Sequence, residues 1–511
     1  MKKLFAMILA LVLCLGAVSA VADVDAFNVL VINGGVTDEE FNAAPIAKDI
    51  EEHTGYKVNY IQAPSASAEV FQNLTNIFTN REEYGALIVS KNNFYTLLAQ
   101  DALADLTPYL EGTENLTQVI APFGYETASK NGKVYAIPQK DAKKNVASGL
   151  VYRQDWLEAY NAANPDAQIP VPAEENAYTM SVSNFRTMLE YFATQVGQGG
   201  TAFHVDIGNV MLEPILPAFG VHQEWSDVDG KLVYFVNHPN FGTYLEYMEG
   251  LFDAGLVGYQ ATGDYPGTTD LVLNGLTGAG KVYHWNGAYL EQNEEHETDD
   301  RIGYIAALVA DEDFGDLSKV RLFAQEGYNY YIVIPWYTGE DTIKAVISWA
   351  DKKLDKDFFL HMVLGDEGDT FTKEGDEYYP ILPAFNEKLG LADKFMTGTR
   401  EEDNAKYWLC RTRKTKAQDK LFSRCNLLAE TNGVKSPIAV MPPNETYDST
   451  FGATSSEVKN ALITSMFSQE TRKSLEEIRA VWTANSGETL DNAVNEWYAA
   501  WEGKDAYNPV K

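Results

Sequence analysis

The stretch Val-Tyr-His-Trp-Asn-Gly-Ala-Tyr, residues 282–289, gathers a tryptophan, two tyrosines, a histidine and an asparagine into eight positions. Read as a strand, its alternate residues share a face, so Tyr283, Trp285, Gly287 and Tyr289 point the same way. Such rings either fill a core, since aromatics are strand formers in any case, or form a shelf on which a flat ligand face stacks. The gap at Gly287 leaves room for a ligand to approach the backbone. Asn286 falls on the opposite face and contributes only if the strand ends there.

Polar groups that could complete such a site lie elsewhere. In Tyr-Arg-Gln-Asp-Trp, residues 152–156, the planar fork of Arg153 suits hydroxyls, a ligand carboxylate or an ion pair. Asp155 and Trp156 stand where a helix begins, which reads as an N-terminal carboxylate and a packed indole. Asn92 and Asn93 follow a strand at 85–90. The loop beyond a strand's carboxyl end is where doubly wound sheets bind ligands; capping of the next helix is the alternative reading.

Other chemistries find less support. Gly-Leu-Thr-Gly-Ala-Gly-Lys-Val (275–282) nearly matches a phosphate-cradling loop but ends in Val282, where a hydroxyl should ligate magnesium. Seven scattered histidines form no H-E-x-x-H or Cys/His cluster, so no metal site is expected. There is no G-x-S-x-G nucleophile elbow. The acidic runs at 311–316 and 366–369 lack the twelve-residue calcium-loop pattern and read as solvated turns. A glycosidase pair could hide among 73 carboxylates, but nothing singles one out. No catalytic residue and no cofactor is expected.

The elements that must position these residues alternate between strand and helix. Residues 27–32 are a continuous apolar strand of the doubly covered type. Pro45 and Gly55 bracket a helix, with a strand at 56–61, a helix through 66–79 and the strand at 85–90 to follow. This order implies a parallel sheet with right-handed crossovers. Phe185, Met188, Leu189 and Phe192 recur at helical spacing behind the candidate caps Ser181 and Ser183. Tyr244 to Phe252, stopped by Gly255, and Ile343 to Leu354 are further helical stripes, with a strand at 329–334 between them. The last third is helix-rich and ends in a stripe of Leu490, Val494, Trp497 and Trp501 behind Thr489.

Composition narrows the setting. Lys2 and Lys3, an apolar run from Leu4 to Leu15 and Ala20-Val21-Ala22 form a secretory signal pattern. The run is too short to span a bilayer, and Leu13 before Cys14 does not suit a lipidation site, so an ordinary signal cleaved near Ala20–Ala22 is expected. A formal charge of −33 repels nucleic acid and anionic lipid. An aromatic content of 12% argues for a packed globule. A chain of 511 residues exceeds what one core supports, so two interleaved lobes are expected. Outside the signal, an oxidising compartment allows one disulfide between Cys410 and Cys425, with free thiols as the alternative.

Several stretches together resemble the family 1 extracellular solute-binding proteins of ABC importers, of the maltose- and oligosaccharide-binding type. They are residues 102–112, 131–138, 149–160, 231–257, 280–289 and 376–381. The resemblance implies an α/β, two-lobe, Venus-flytrap architecture of the type II periplasmic-binding-protein kind, with hinge crossovers and a solute held between the lobes. The crossovers would fall at Pro138 to Lys144, Gly327 to Trp336 and Tyr378 to Pro383. The implied domains are a signal at 1–22, an N-terminal lobe of 23–140 and 327–380, and a C-terminal lobe of 141–326 and 381–511. Gln139, Lys140 and Asp141 would line the first crossing, and Tyr328 and Trp336 would flank the return.

Trp285 looks like the sugar-stacking tryptophan of relatives, with Tyr283 and Tyr289 beside it. The physics agrees: a pyranose has an apolar C–H face for an indole and a hydroxyl rim for polar side chains. The expected function is non-enzymatic capture of a carbohydrate, an oligosaccharide above all, by a monomer that hands it to ABC permease subunits. The alternatives are a secreted glycosidase or lyase using the same shelf, and a solute sensor module. Many relatives from single-membrane bacteria are tethered by a lipidated cysteine; this sequence has no convincing lipid site, which leaves a freely secreted protein, a periplasmic one or one held by a partner as the alternatives.

Overall fold

The computed structural model describes residues 24–140, 146–206, 210–260, 265–287, 301–325 and 327–508. The signal segment, Asp141 and Tyr289 lie outside the described residues. The chain divides into two compact units. One takes Met1–Gln139, Asn329–Thr370 and Pro383–Arg400; the other takes Lys140–Tyr328, Phe371–Leu382 and Glu401–Lys511. The chain therefore changes unit not only after Gln139, Tyr328 and Leu382 but also after Thr370 and Arg400.

The first unit is built on a five-stranded sheet in the order Lys57–Gln62, Ala26–Val31, Ala86–Ser90, Tyr328–Val333, Ala136–Lys140. The first three strands are parallel, and Tyr328–Val333 runs antiparallel to Ala86–Ser90 with Tyr330 opposite Ser90. Val29 to Val31 and Ala86 to Val89 are all buried, the sign of a sheet covered on both faces. The helix Pro45–Thr54 starts on its proline and stops at Gly55, whose φ of 79° suits a residue without Cβ. The stripe from Ile343 to Ala350 forms the helix Glu340–Lys352, and its Trp349 meets Phe27 edge-on at 5.7 Å.

The free edge of this sheet is closed by side chains. Asn42 Nδ2 donates to the Tyr60 carbonyl at 2.7 Å, and its Oδ1 accepts from the Tyr60 amide at 2.8 Å. Asp38 accepts from the Gln62 amide at 2.9 Å. The short helix Asp38–Asn42 thus supplies ladder bonds that an exposed edge would otherwise offer to another chain.

The second unit centres on a mixed sheet in the order Val257–Gln260, Thr201–Asp206, Thr277–Tyr283, Ser148–Arg153, Ile302–Ile305. The first three strands are parallel, and Ser148–Arg153 is antiparallel to both its neighbours. The near-match to a phosphate loop is therefore the central strand of a sheet, buried from Thr277 to Val282. Ser181 caps the helix Val182–Phe192, accepting from Asn184, and the four apolar residues of that stripe are buried. The helix Phe241–Asp253 buries Tyr244, Leu245, Met248 and Leu251.

Three helices from the last third, Glu445–Met466, Leu475–Ala484 and Gly487–Ala500, share a core with the hairpin of Trp225–Val228 and Lys231–Tyr234. Tyr234 stacks on Trp482 at 4.0 Å there. The last of these helices starts behind Ser486, not Thr489, and buries Leu490, Val494 and Tyr498. That i, i+4, i+8 row leaves Trp497 and Trp501 half-buried on its flank, stacked on each other at 5.1 Å.

Cys410 and Cys425 are free buried thiols, the second of the two alternatives the sequence left open. Each is consumed by its own surroundings. The Cys425 thiol donates to the Val146 carbonyl at 2.9 Å, and burial pushes both thiols up to about 12.

Candidate functional site: an aromatic stack on the second unit

The strand Thr277–Tyr283 stops one residue after Val282, and His284–Asn286 form a single 3₁₀ turn. Asn286 causes the stop: its Oδ1 accepts from the Tyr283 amide at 2.8 Å, and the side chain is buried. The strict alternation expected over 282–289 thus fails beyond Tyr283, and Asn286 serves the backbone. The turn brings the rings of Tyr283 and Trp285 face to face, 4.5 Å apart and 4° from parallel. Trp285 is 44% exposed, whereas Trp225, Trp349 and Trp482 are fully buried.

Gly287 does a different task from the one its sequence position suggests. A Cβ placed on it would lie 2.6 Å from the Gln418 Cα and 2.7 Å from the Gln418 amide nitrogen. The absent side chain admits the backbone of the helix Lys416–Asn426, not a ligand. Below the indole lies His284, 1% exposed, edge-on to Trp285 at 5.0 Å and to Phe422 at 4.9 Å. Its ring nitrogens have no hydrogen-bond partner. Burial lowers its pKa to about 4, so the indole rests on an uncharged ring.

The stack continues behind Tyr283. Lys281 shares its face of the strand, and the ammonium sits 4.9 Å over the Tyr283 ring while pairing with Glu213. Ser148 stands directly across from Tyr283 in the antiparallel register. Ser148 and Glu213 also line a cavity of about 290 Å³ on this side of the sheet. The sequence reading missed Glu213, Lys281 and Ser148. The one available signal was a lysine two places before Tyr283 in an otherwise apolar strand, where a charge needs a partner.

The other candidates scatter. Arg153 lies at the opposite end of its strand from Ser148, about 16 Å away at ~3.3 Å per residue. Its guanidinium is taken by Asp155, Nε donating at 2.7 Å, and by the Trp156 ring at 4.4 Å, so it belongs to a separate cluster. On the first unit, Asn92 and Asn93 open the helix Lys91–Ala99 at the carboxyl end of Ala86–Ser90, where Ser90 caps and Asn93 receives the cap. Gln139 is buried with its Oε1 unpartnered, and Tyr328 is 2% exposed. Trp336 is half exposed beneath Arg81 at 4.9 Å. It lies beyond Val333, which pairs with Leu87, so it stands toward the amino end of the parallel strands, away from Asn92 and Asn93.

A mixed α/β chain in two interleaved units, with an open indole at the end of a central strand, defines a binding protein of the two-lobe type. The model of the bacterial extracellular solute-binding proteins matches residues 37–352, and the chain belongs to that family. Its members work outside the cytoplasm. A protein from the butB 5′ region of Niallia circulans is 23% identical over 258 residues, 50% of this chain and 98% of that one. Among solved structures, similarity extends to a solute-binding protein associated with an HMO-binding ABC transporter of Bifidobacterium longum infantis. It has 15% identity and a TM-score of 0.64, over 95% of this chain and 99% of that one. The S. pneumoniae substrate-binding protein FusA, solved with kestose, gives 12% identity and a TM-score of 0.64 over 94% and 100%. These likenesses establish a shared fold.

Proposed function

We propose that the protein captures a carbohydrate, an oligosaccharide above all, and delivers it unaltered to the permease subunits of an ABC importer. The observation that carries this reading is the Trp285 indole. It is open on one face and backed on the other by Tyr283 at 4.5 Å. A ring held rigidly in that way buries the C–H face of a pyranose at little entropic cost. The names of the similar solved structures, one tied to HMO binding and one holding kestose, support the same class of solute. The family relation supports binding without catalysis.

In this reading the segment through Ala22 is a cleaved signal and the mature protein is a monomer outside the cell membrane. A thermal-shift screen of mono- and oligosaccharides tests the proposal. Stabilisation by sugars that is lost in Trp285→Ala is the expected result. Stabilisation by no sugar, or release of reducing ends from a bound one, would refute it.

A further inference from the structure

A groove of about 1040 Å³ runs along the edge of the first unit's sheet and lies wholly within that unit. Asn42 and Asp38 close the edge strand Lys57–Gln62 at Tyr60 and Gln62, but its start is left open. Alternate residues of a parallel strand turn their backbone groups to the same side. Tyr60 turns its amide and carbonyl outward to Asn42, so Val58, two places earlier, turns both outward as well. Lys57, in the opposite phase, donates inward to the Asp25 carbonyl at 2.8 Å. Among the described residues no group outside the sheet bonds to Val58, which lines the groove.

The sheet face beside this open position is polar. Asn59 Nδ2 donates to Asn28 Oδ1 at 2.9 Å, and Asn28 Nδ2 donates to the Glu83 carbonyl at 2.8 Å, both at the surface. Around it stand the carboxylates of Asp38, Glu39, Glu51 and Glu83, against the cations Lys57 and Arg81. Arg81 leads out of the groove to Trp336, which is 51% exposed with the guanidinium 4.9 Å over its ring.

We infer that this groove docks an extended, lysine- or arginine-bearing segment of a partner protein, which adds to the sheet edge at Val58 and is anchored at Trp336. Three features favour a chain over a small molecule. Small-molecule sites are mostly apolar and about 300–1,000 Å³, whereas this groove stands at the top of that range and is polar. An outward amide and carbonyl on an edge strand are a template for a further strand. Four carboxylates against two cations favour a cationic occupant, and Trp with Arg is the pairing that anchors protein interfaces. The surface stands apart from sugar capture, since Val58 and Trp336 lie toward the amino end of the parallel strands and ligands of such sheets bind beyond the carboxyl ends.

Calorimetry on the intact protein with the acetylated, amidated hexapeptide Lys-Val-Lys-Val-Lys-Val tests this. Its controls are the same peptide with glutamate for lysine and a form N-methylated throughout, which cannot donate to a ladder. The lysine peptide is expected to bind at least tenfold more tightly than either control. Val58→Pro deletes the outward amide, a change edge strands tolerate, and is expected to weaken the peptide at least fivefold. Glu51→Gln with Glu83→Gln should do the same, and Trp336→Ala should weaken it at least threefold. If Val58→Pro does not fold, the N-methylated peptide decides. Equal binding of that form is attraction to a surface of charge −33 alone and overturns the inference. No binding of the lysine peptide, or equal binding of the glutamate one, overturns it too. Self-association of the parent that Val58→Pro abolishes would assign the edge to a second copy and overturn it as well.

Discussion

Tyr283 and Trp285 lie ring over ring, 4.5 Å apart and 4° from parallel, though only His284 separates them in the chain. In a continuous strand, residues i and i+2 stand about 6.6 Å apart along the axis, too far for such contact. The 3₁₀ turn at His284–Asn286 closes that gap. Support of this kind is worth ~0.5–1.5 kcal/mol for an aromatic pair. Tyr283→Ala is therefore expected to red-shift Trp285 emission and weaken sugar binding about three- to tenfold. An unchanged spectrum and affinity would show that the phenol is incidental.

Gly287 is set by packing, since a Cβ there would strike the Gln418 backbone at 2.6 Å. Backbone cannot rotate away as a side chain can. Gly287→Ala is expected to cost about 1–3 kcal/mol, the usual range for overpacking, read as a lower urea midpoint. Any loss of sugar affinity should follow from a displaced turn, visible as altered near-UV dichroism. A variant as stable as the parent would show that the helix Lys416–Asn426 yields easily.

Two histidines predict opposite pH responses. His361 places Nδ1 3.0 Å from Asp366 and Nε2 3.2 Å from Asp49. Burial opposes its charge, but those carboxylates outweigh burial and raise its pKa. Its stabilisation is complete below the unfolded value of ~6.5 and lost as pH rises through the folded one. His284 is the reverse case. With a pKa lowered to about 4, it costs stability as pH falls from ~6.5 toward that value, because the unfolded chain takes up the proton first. Urea midpoints from pH 4.5 to 8.5 check both. The deficit of His361→Gln should be largest in acid and shrink toward pH 8.5. The advantage of His284→Phe should appear only below pH ~6.5. Differences that do not move with pH would contradict both assignments.

Asn42 bonds both backbone groups of Tyr60 on the outermost strand of the first unit. Asn42→Ala would strip a strand edge of its cover. The expected loss is about 1–3 kcal/mol from unsatisfied backbone groups, with concentration-dependent association in light scattering. A variant that stays monomeric at high concentration would show that the remaining Asp38 bond suffices.

The cysteines give a chemical check. Burial holds both thiols at about 12, so neither should react with a thiol reagent in the native protein, and both should react in denaturant without prior reduction. One disulfide in the purified protein would contradict the packing of Cys425 against Val146.

Much of the frame was legible because it rests on local rules. Apolar runs at Val29–Val31 and Ala86–Val89, the Pro45 and Gly55 brackets and the stripe from Phe185 to Phe192 each carry their own signal. The site was legible only in part. Trp285 and Tyr283 stood out by type, but their geometry depends on Asn286 halting the strand, a capping event that alternation cannot express. Gly287 misled because a missing side chain looks the same whether ligand or helix fills the space. The positions of Arg153 and Trp336 were not legible, because proximity in sequence to a crossover says nothing about which end of a sheet a side chain reaches. Glu213 lies 68 residues from Lys281, so only the fold pairs them.

The most direct test is a titration of the intact protein with its best-binding oligosaccharide while Trp285 fluorescence is followed, set beside calorimetry of Trp285→Ala. Saturable quenching or a blue shift, one-to-one stoichiometry, unaltered sugar recovered afterwards and at least tenfold weaker binding in the variant are predicted. Full affinity in Trp285→Ala, with no change in the indole signal of the parent, would contradict the account.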